Sequence, residues 1–149
     1  MNDAKTELGL KIVEIKAAKG LSWAEIAVRL GHAPVWTCAA CLGQMSMTAE
    51  TAQKAAALFG LDEAETRLLQ KIPYRGSLPT AVPTDPLIYR FYELLQVYGT
   101  TWKELIHEEF GDGIMSAIDF DMTLERQPDQ KGDRVKLGIS GKFLPYKRY

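Results

Sequence analysis

Arg90 and Glu93 stand three apart in the run Y-R-F-Y-E. On a helix that spacing makes the two side chains neighbours on one face. A guanidinium keeps its charge and can grip carboxylate-like oxygens in pairs, so the chemistry within its reach is the binding of small anions. Spacing alone, however, describes a solvated surface ion pair worth a few tenths of a kcal/mol. Ser116, in G-I-M-S-A-I, offers a hydroxyl donor and by itself reads as a local capping serine.

Cys38 and Cys41 form a C-A-A-C spacing, which raises redox and metal chemistry. A four-ligand zinc site needs two further ligands, and the chain offers only His32 and His107. The strand-helix-strand pattern of a thioredoxin-like site is missing. On a helix the two thiols sit among Ala39, Ala40 and Leu42, as small buried hydrophobes do. His107 reads as a solvated or packing histidine, and His32, just after Gly31, as a local turn residue.

The elements that must carry these residues fall into two parts. The first is helical. Leu8, Ile12 and Ile15 mark one face of a first helix that Gly20 closes. Ser22 with Glu25 makes a capping box for a second, which Gly31 ends. A third is predicted over about Pro34–Leu42, a fourth over about Thr48–Phe59, and a fifth over Asp62–Ile72. Prolines at 73, 79, 83 and 86 then mark a linker, because proline removes backbone donors and favours extended chain. The reading is a helical domain over 1–75 and a second domain over 76–149.

In the second part Asp85 suits an N-cap and Pro86 the first helical position. Leu87, Phe91, Leu94, Leu95 and Tyr98 form a stripe that Gly99 is predicted to end. Thr101 with Glu104 starts a further helix that reaches Gly111, and Ile114–Ile118 reads as about one helical turn. Phe120, Met122 and Leu124 then alternate with polar residues, as do Val135, Leu137 and Ile139. The result is a two-stranded ribbon with a polar turn over Gln127–Gly132. Such a ribbon is marginal in water and needs a partner, for which another subunit is the nearest candidate.

The run T-D-P-L-I-Y-R-F-Y-E-L-L-Q-V-Y-G-T-T, followed by H-E-E-F-G-D-G-I-M-S-A-I-D-F, closely resembles the catalytic segment of the cyanate hydratases (cyanases). The closing G-K-F-L-P-Y-K is similar too, and L-S-W-A-E-I-A matches more loosely. The resemblance implies an α+β chain: a helical N-terminal domain like a phage-repressor bundle, and a C-terminal domain of two helices and a β-hairpin that intertwines two chains. It implies a homodecamer of five dimers with sites between dimers. It also implies a carbon-nitrogen lyase that decomposes cyanate with bicarbonate as co-substrate and no other cofactor or metal. The family's Arg, Glu and Ser fall on Arg90, Glu93 and Ser116. Arg90 is then the anion binder and Glu93 orients a guanidinium or holds protonated bicarbonate. Ser116 donates to a substrate oxygen, and amides around Gly113–Ser116 add donors if a helix begins there.

The chemistry suits those types. Two unit charges about 4 Å apart repel by roughly 4 kcal/mol at an effective dielectric near 20. Binding two anions together therefore needs fixed positive charge, and an interface that gathers Arg90 from more than one chain supplies it.

A formal net charge of -1 advertises no basic field for nucleic acid. The stretch from Leu21 to Gln44 does resemble a helix-turn-helix, which makes a DNA-binding regulator the alternative function. Pro34–Leu42 carries no charged residue, however, so the electrostatic term of DNA affinity is missing. No apolar run approaches a membrane span. The first ten residues lack the basic start and apolar stretch of a secretory signal. Two cysteines give no disulfide framework, so a cytoplasmic setting is expected.

Overall fold

A computed structural model describes residues 3–149. Its elements are α1 (Ala4–Ala18), α2 (Trp23–Leu30), α3 (Pro34–Cys41), α4 (Ala49–Phe59), α5 (Glu63–Gln70), α6 (Pro86–Phe110), β1 (Gly113–Gln127) and β2 (Arg134–Pro145). The architecture is α+β. The chain forms two compact units, one ending at Ser77 and the other spanning Leu78–Tyr149.

The first unit is a bundle of short helices with explicit starts. Asp3 caps α1 by accepting from the Thr6 amide at 2.9 Å. Ser22 and Glu25 close a reciprocal box on α2, as Asp62 and Glu65 do on α5. Each such cap contributes roughly 1 kcal/mol. Gly31 ends α2 at φ +77°, a left-handed conformation that costs other residues a Cβ clash. Ile12, Ile26, Leu30, Ala52 and Phe59 meet in the core. Lys5 is buried beside them. Its ammonium donates to the carbonyls of Met45 (3.1 Å) and Lys71 (2.5 Å), which ties α1 to the end of α5. Burial pushes its pKa down from the ordinary lysine value.

The second unit is built differently. Helix α6 runs 25 residues, about 37 Å at 1.5 Å per residue, straight through Gly99. The expected break there does not occur. The helix ends instead at Gly111, whose φ of +90° with ψ −165° is a conformation that favours glycine, while the φ of Gly99 is not positive. The apolar stripe stays in phase across the glycine, and Tyr98 stacks on Trp102 with centroids 6.4 Å apart. The capping box expected of Thr101 and Glu104 therefore has no helix start to serve.

The helical turn expected over Ile114–Ile118 is also replaced, by the first part of β1. Ile114 pairs with Leu144 and Met115 with Phe143 in an antiparallel ribbon. Gly113 permits the approach: a Cβ there would overlap the Leu144 carbonyl and meet Phe143 Cζ at 2.5 Å. From Phe120, opposite Gly141, pairing runs to Gln127, opposite Arg134. The intervening turn is fixed by the Asp129 carboxylate, which accepts from the Lys131 amide at 2.8 Å.

No side chain of α6 is buried within its own chain. Leu95, Leu105, Leu124, Val135 and Ile139 all lie exposed. The hydrophobic core belongs to the first unit.

Candidate active site

Helix α6 sets the first two candidate residues. The Asp85 carboxylate accepts from the amides of Leu87 (2.9 Å) and Ile88 (3.0 Å), and Pro86 occupies the first turn. This fixes the helix phase one turn before Arg90. Arg90 Nε donates to the Pro86 carbonyl at 3.1 Å, and Nη1 reaches Glu93 Oε2 at 3.3 Å. The guanidinium carbon lies 5.4 Å from the Tyr89 ring centroid. Both charged side chains remain half or more exposed, 61% and 50%. Solvent screening keeps such a pair below about 1 kcal/mol, so it contributes little to the fold.

Beside Arg90 lies a hollow of about 480 Å³. Leu87, Phe91, Leu94 and Trp102 line it from α6, and Val135, Leu137 and Ile139 from β2. Arg90 is the charged residue on its rim.

Ser116 sits on β1 of the same unit and is buried. Between the paired residues Met115 and Phe120 the register slips, so four residues, Ser116 to Asp119, stand opposite Lys142 alone. Ser116 organises this bulge. Its Oγ accepts from the amides of Ile118 (3.0 Å) and Asp119 (2.9 Å). A hydroxyl has two acceptor sites and one proton. With both acceptor sites used, the proton is what remains to offer. No hydrogen bond joins Ser116 to Arg90 or Glu93 among the described residues. The amides of 113–116 belong to a strand, so the helix N-terminus considered for them does not exist.

The remaining candidates are structural. His107 Nε2 donates to the Gly113 carbonyl at 3.3 Å and ties the end of α6 to β1. His32 packs on Trp36, with ring centroids 4.4 Å apart, and pairs with Thr51 Oγ1 at 3.0 Å. Burial raises the thiols of Cys38 and Cys41, the latter to about 12. No three His, Cys, Asp or Glu side chains cluster for a metal among the described residues. The second helix of the helix-turn-helix resemblance, α3, reads P-V-W-T-C-A-A-C and is without charge. Among the described residues no helix is long and apolar enough to cross a membrane. Sequence reasoning passed over Gly141, although it stands in G-K-F-L-P-Y-K. A Cβ there would overlap the Ser116 carbonyl oxygen.

Two family descriptions match the chain in tandem: "Cyanate hydratase, N-terminal" over residues 5–73 and "Cyanate lyase C-terminal domain" over 80–148. A cyanate hydratase of Methylibium petroleiphilum is 62% identical over 146 residues, covering 98% of this chain and 99% of the relative. One from Cupriavidus necator is 61% identical over 138 residues, covering 93% and 94%. The crystal structure of cyanase from T. urticae superposes with a TM-score of 0.79 at 38% identity, covering 93% of this chain and 96% of that one. The class is thus a lyase that joins a helical unit to a helix-and-ribbon unit. The chain belongs to the cyanate hydratase family. These matches give no support to a DNA-binding regulator.

Proposed function

We propose that this enzyme decomposes cyanate with bicarbonate, using Arg90, Glu93 and Ser116. The observation that carries the reading is family membership across both domains, at about 60% identity to curated cyanate hydratases. The geometry supports it. Arg90 projects from a capped, rigid helix with its guanidinium exposed, and Glu93 holds that guanidinium from one side. Ser116 has a spare hydroxyl proton on a braced bulge.

The chemistry needs few titrating groups. A bicarbonate oxygen attacks the cyanate carbon, and the bicarbonate proton passes to the cyanate nitrogen. A second proton from solution gives a mixed carbamic-carbonic anion. Cleavage of the bond between the bridging oxygen and the bicarbonate-derived carbon releases that carbon as carbon dioxide and leaves the bridging oxygen on carbamate. Carbamate takes up a proton and separates into ammonia and a second carbon dioxide. Holding two reactants in line contributes ~7–11 kcal/mol in favourable cases. Fixed donors aimed at developing charge add to that. Arg90 offsets the repulsion of the two anions, and Ser116 donates to a substrate oxygen. No other cofactor is required by this scheme.

The exposed apolar surface of the second unit supports an assembly of several copies. A helix with no buried side chain and a ribbon with bare Leu124 and Val135 call for cover. The hollow beside Arg90 is mostly apolar and far larger than one cyanate and one bicarbonate, so it suits side chains of another copy. We assign that cover to further copies of this chain in an intertwined dimer, five of which make a decamer. Arg90 from adjoining chains then shares one site. The setting is cytoplasmic, with detoxification of cyanate and supply of nitrogen as ammonia.

The test is ammonia release from cyanate with and without added bicarbonate. Release that is equally fast in bicarbonate-depleted, carbon dioxide-free buffer overturns the co-substrate assignment.

A further inference from the structure

We infer that Gly141 is a positioning residue for Ser116. The inference rests on the assignment of Ser116 to the active site. Gly141 pairs with Phe120 at the far end of the bulge, the first pair formed after the four unpaired residues. A Cβ built on Gly141 would overlap the Ser116 carbonyl oxygen and meet Met115 Cγ at 2.6 Å and Sδ at 3.2 Å. Real Cβ atoms keep well beyond these separations, so any side chain at 141 must push the bulge away. The nearest obstacle is the Ser116 carbonyl oxygen, a backbone atom that cannot rotate aside as the Met115 side chain can. The glycine is not needed for a left-handed turn, since its φ is not positive. Space is its whole contribution.

What would be pushed is the start of the loop that presents the hydroxyl. The amides of Ile118 and Asp119 hold Ser116 Oγ from one side, and the carbonyl of Ser116 rests on Gly141 from the other. Together these contacts fix where the hydroxyl proton can be aimed. Displacing a reacting group by about 1 Å can cost roughly 100-fold in rate. Gly138 supplies a matched control on the same strand. A Cβ there meets only Thr123 Oγ1, at 2.7 Å, a side-chain atom that can turn away.

The experiment compares Gly141→Ala, Gly138→Ala, Ser116→Ala and the double variant Ser116→Ala with Gly141→Ala, each as the assembled enzyme. Gly141→Ala should lower kcat about 100-fold with KM for cyanate much less affected, while Gly138→Ala keeps kcat within a few-fold of the parent. In the Ser116→Ala background the Gly141 change should cost nothing further, because a residue that acts through another is non-additive with it. A merely structural glycine would add its own loss in that background.

Near-parental kcat in Gly141→Ala, or additive losses in the double variant, overturns the inference. Full activity in Ser116→Ala overturns instead the assignment on which it rests. If Gly141→Ala does not assemble, the pair with Met115→Ala relieves the side-chain part of the clash and keeps the contact with the Ser116 carbonyl. It should then assemble with kcat still about 100-fold low, and a kcat equal to that of Met115→Ala alone overturns the inference. Failure of that pair also to assemble makes Gly141 a folding residue and likewise overturns the inference.

Discussion

Arg90 and Glu93 meet at 3.3 Å on the exposed flank of α6, one turn from the helix start that Asp85 caps. The pair is solvated, so its removal should cost the fold less than about 1 kcal/mol. Its removal should cost the reaction far more. Arg90→Ala should lower kcat/KM by at least about 100-fold, the scale for losing one donor aimed at developing charge. The circular dichroism spectrum and sedimentation of the variant should match the parent. Arg90→Lys should restore little, because an ammonium cannot make the paired grip of a guanidinium. Near-parental turnover in either variant would remove Arg90 from the mechanism.

The second unit predicts its own dependence on assembly. Leu95 and Val135 are 57% and 72% exposed in one chain, on an α6 and a ribbon without a core of their own. If copies of the chain cover them, Leu95→Asp or Val135→Asp places an unpaired charge inside an interface, at a cost of about 3 kcal/mol or more per copy. Size-exclusion chromatography with light scattering should then show smaller species, and activity should fall with them. An unchanged mass and rate in both variants would mean that these faces do not pack against other copies.

Much of this architecture was readable from residue types, and the failures have physical causes. The Ser22–Glu25 box, the Gly31 stop and the Asp85-Pro86 start were visible because capping chemistry is local. Gly99 misled because composition does not reveal φ. The better signal was the stripe Leu94, Leu95, Tyr98, Trp102, Leu105, which keeps helical phase across the glycine. The first half of β1 was hidden by its bulge. Four residues opposite one destroy the alternation by which a strand is recognised. For the candidate site, the nearness of Arg90 to Glu93 followed from spacing. The burial of Ser116 and its two amide partners depend on a strand register that spacing cannot supply.

The C-A-A-C pair should be chemically quiet. Burial raises both thiols, and Cys41, pushed up to about 12, also feels Cys38 beside it. At pH 8 that leaves Cys41 as thiolate in roughly one molecule in 10⁴, and the thiolate is the reactive form. Iodoacetamide should therefore label the native enzyme at Cys41 hardly at all, and label it promptly in denaturant. Mass spectrometry of peptides containing residues 38–41 reads this out. Rapid native labelling of Cys41 would contradict the buried, apolar setting.

Acid should loosen the first unit at its helix starts. Hydrogen bonds from the Ser22 backbone and side chain hold Glu25 below the usual carboxylate range, and bonds from the Lys11 ammonium and the Asp62 amide do the same for Glu65. A carboxylate whose pKa is lower folded than unfolded stabilises the fold fully above its unfolded value, roughly 4.3. That contribution fades as pH falls through the lower folded value, because the unfolded chain then takes up the proton first. Protection of amides in α2 and α5 should therefore stay level from pH 8 to about 5 and decline below roughly 4.3. Glu25→Ala should reduce protection in α2 at neutral pH, and the difference from the parent should shrink under acid. Hydrogen exchange read by mass spectrometry, corrected for intrinsic rates, gives both curves. A deficit in Glu25→Ala that persists undiminished to pH 2 would assign the effect to packing instead of to the ionised cap.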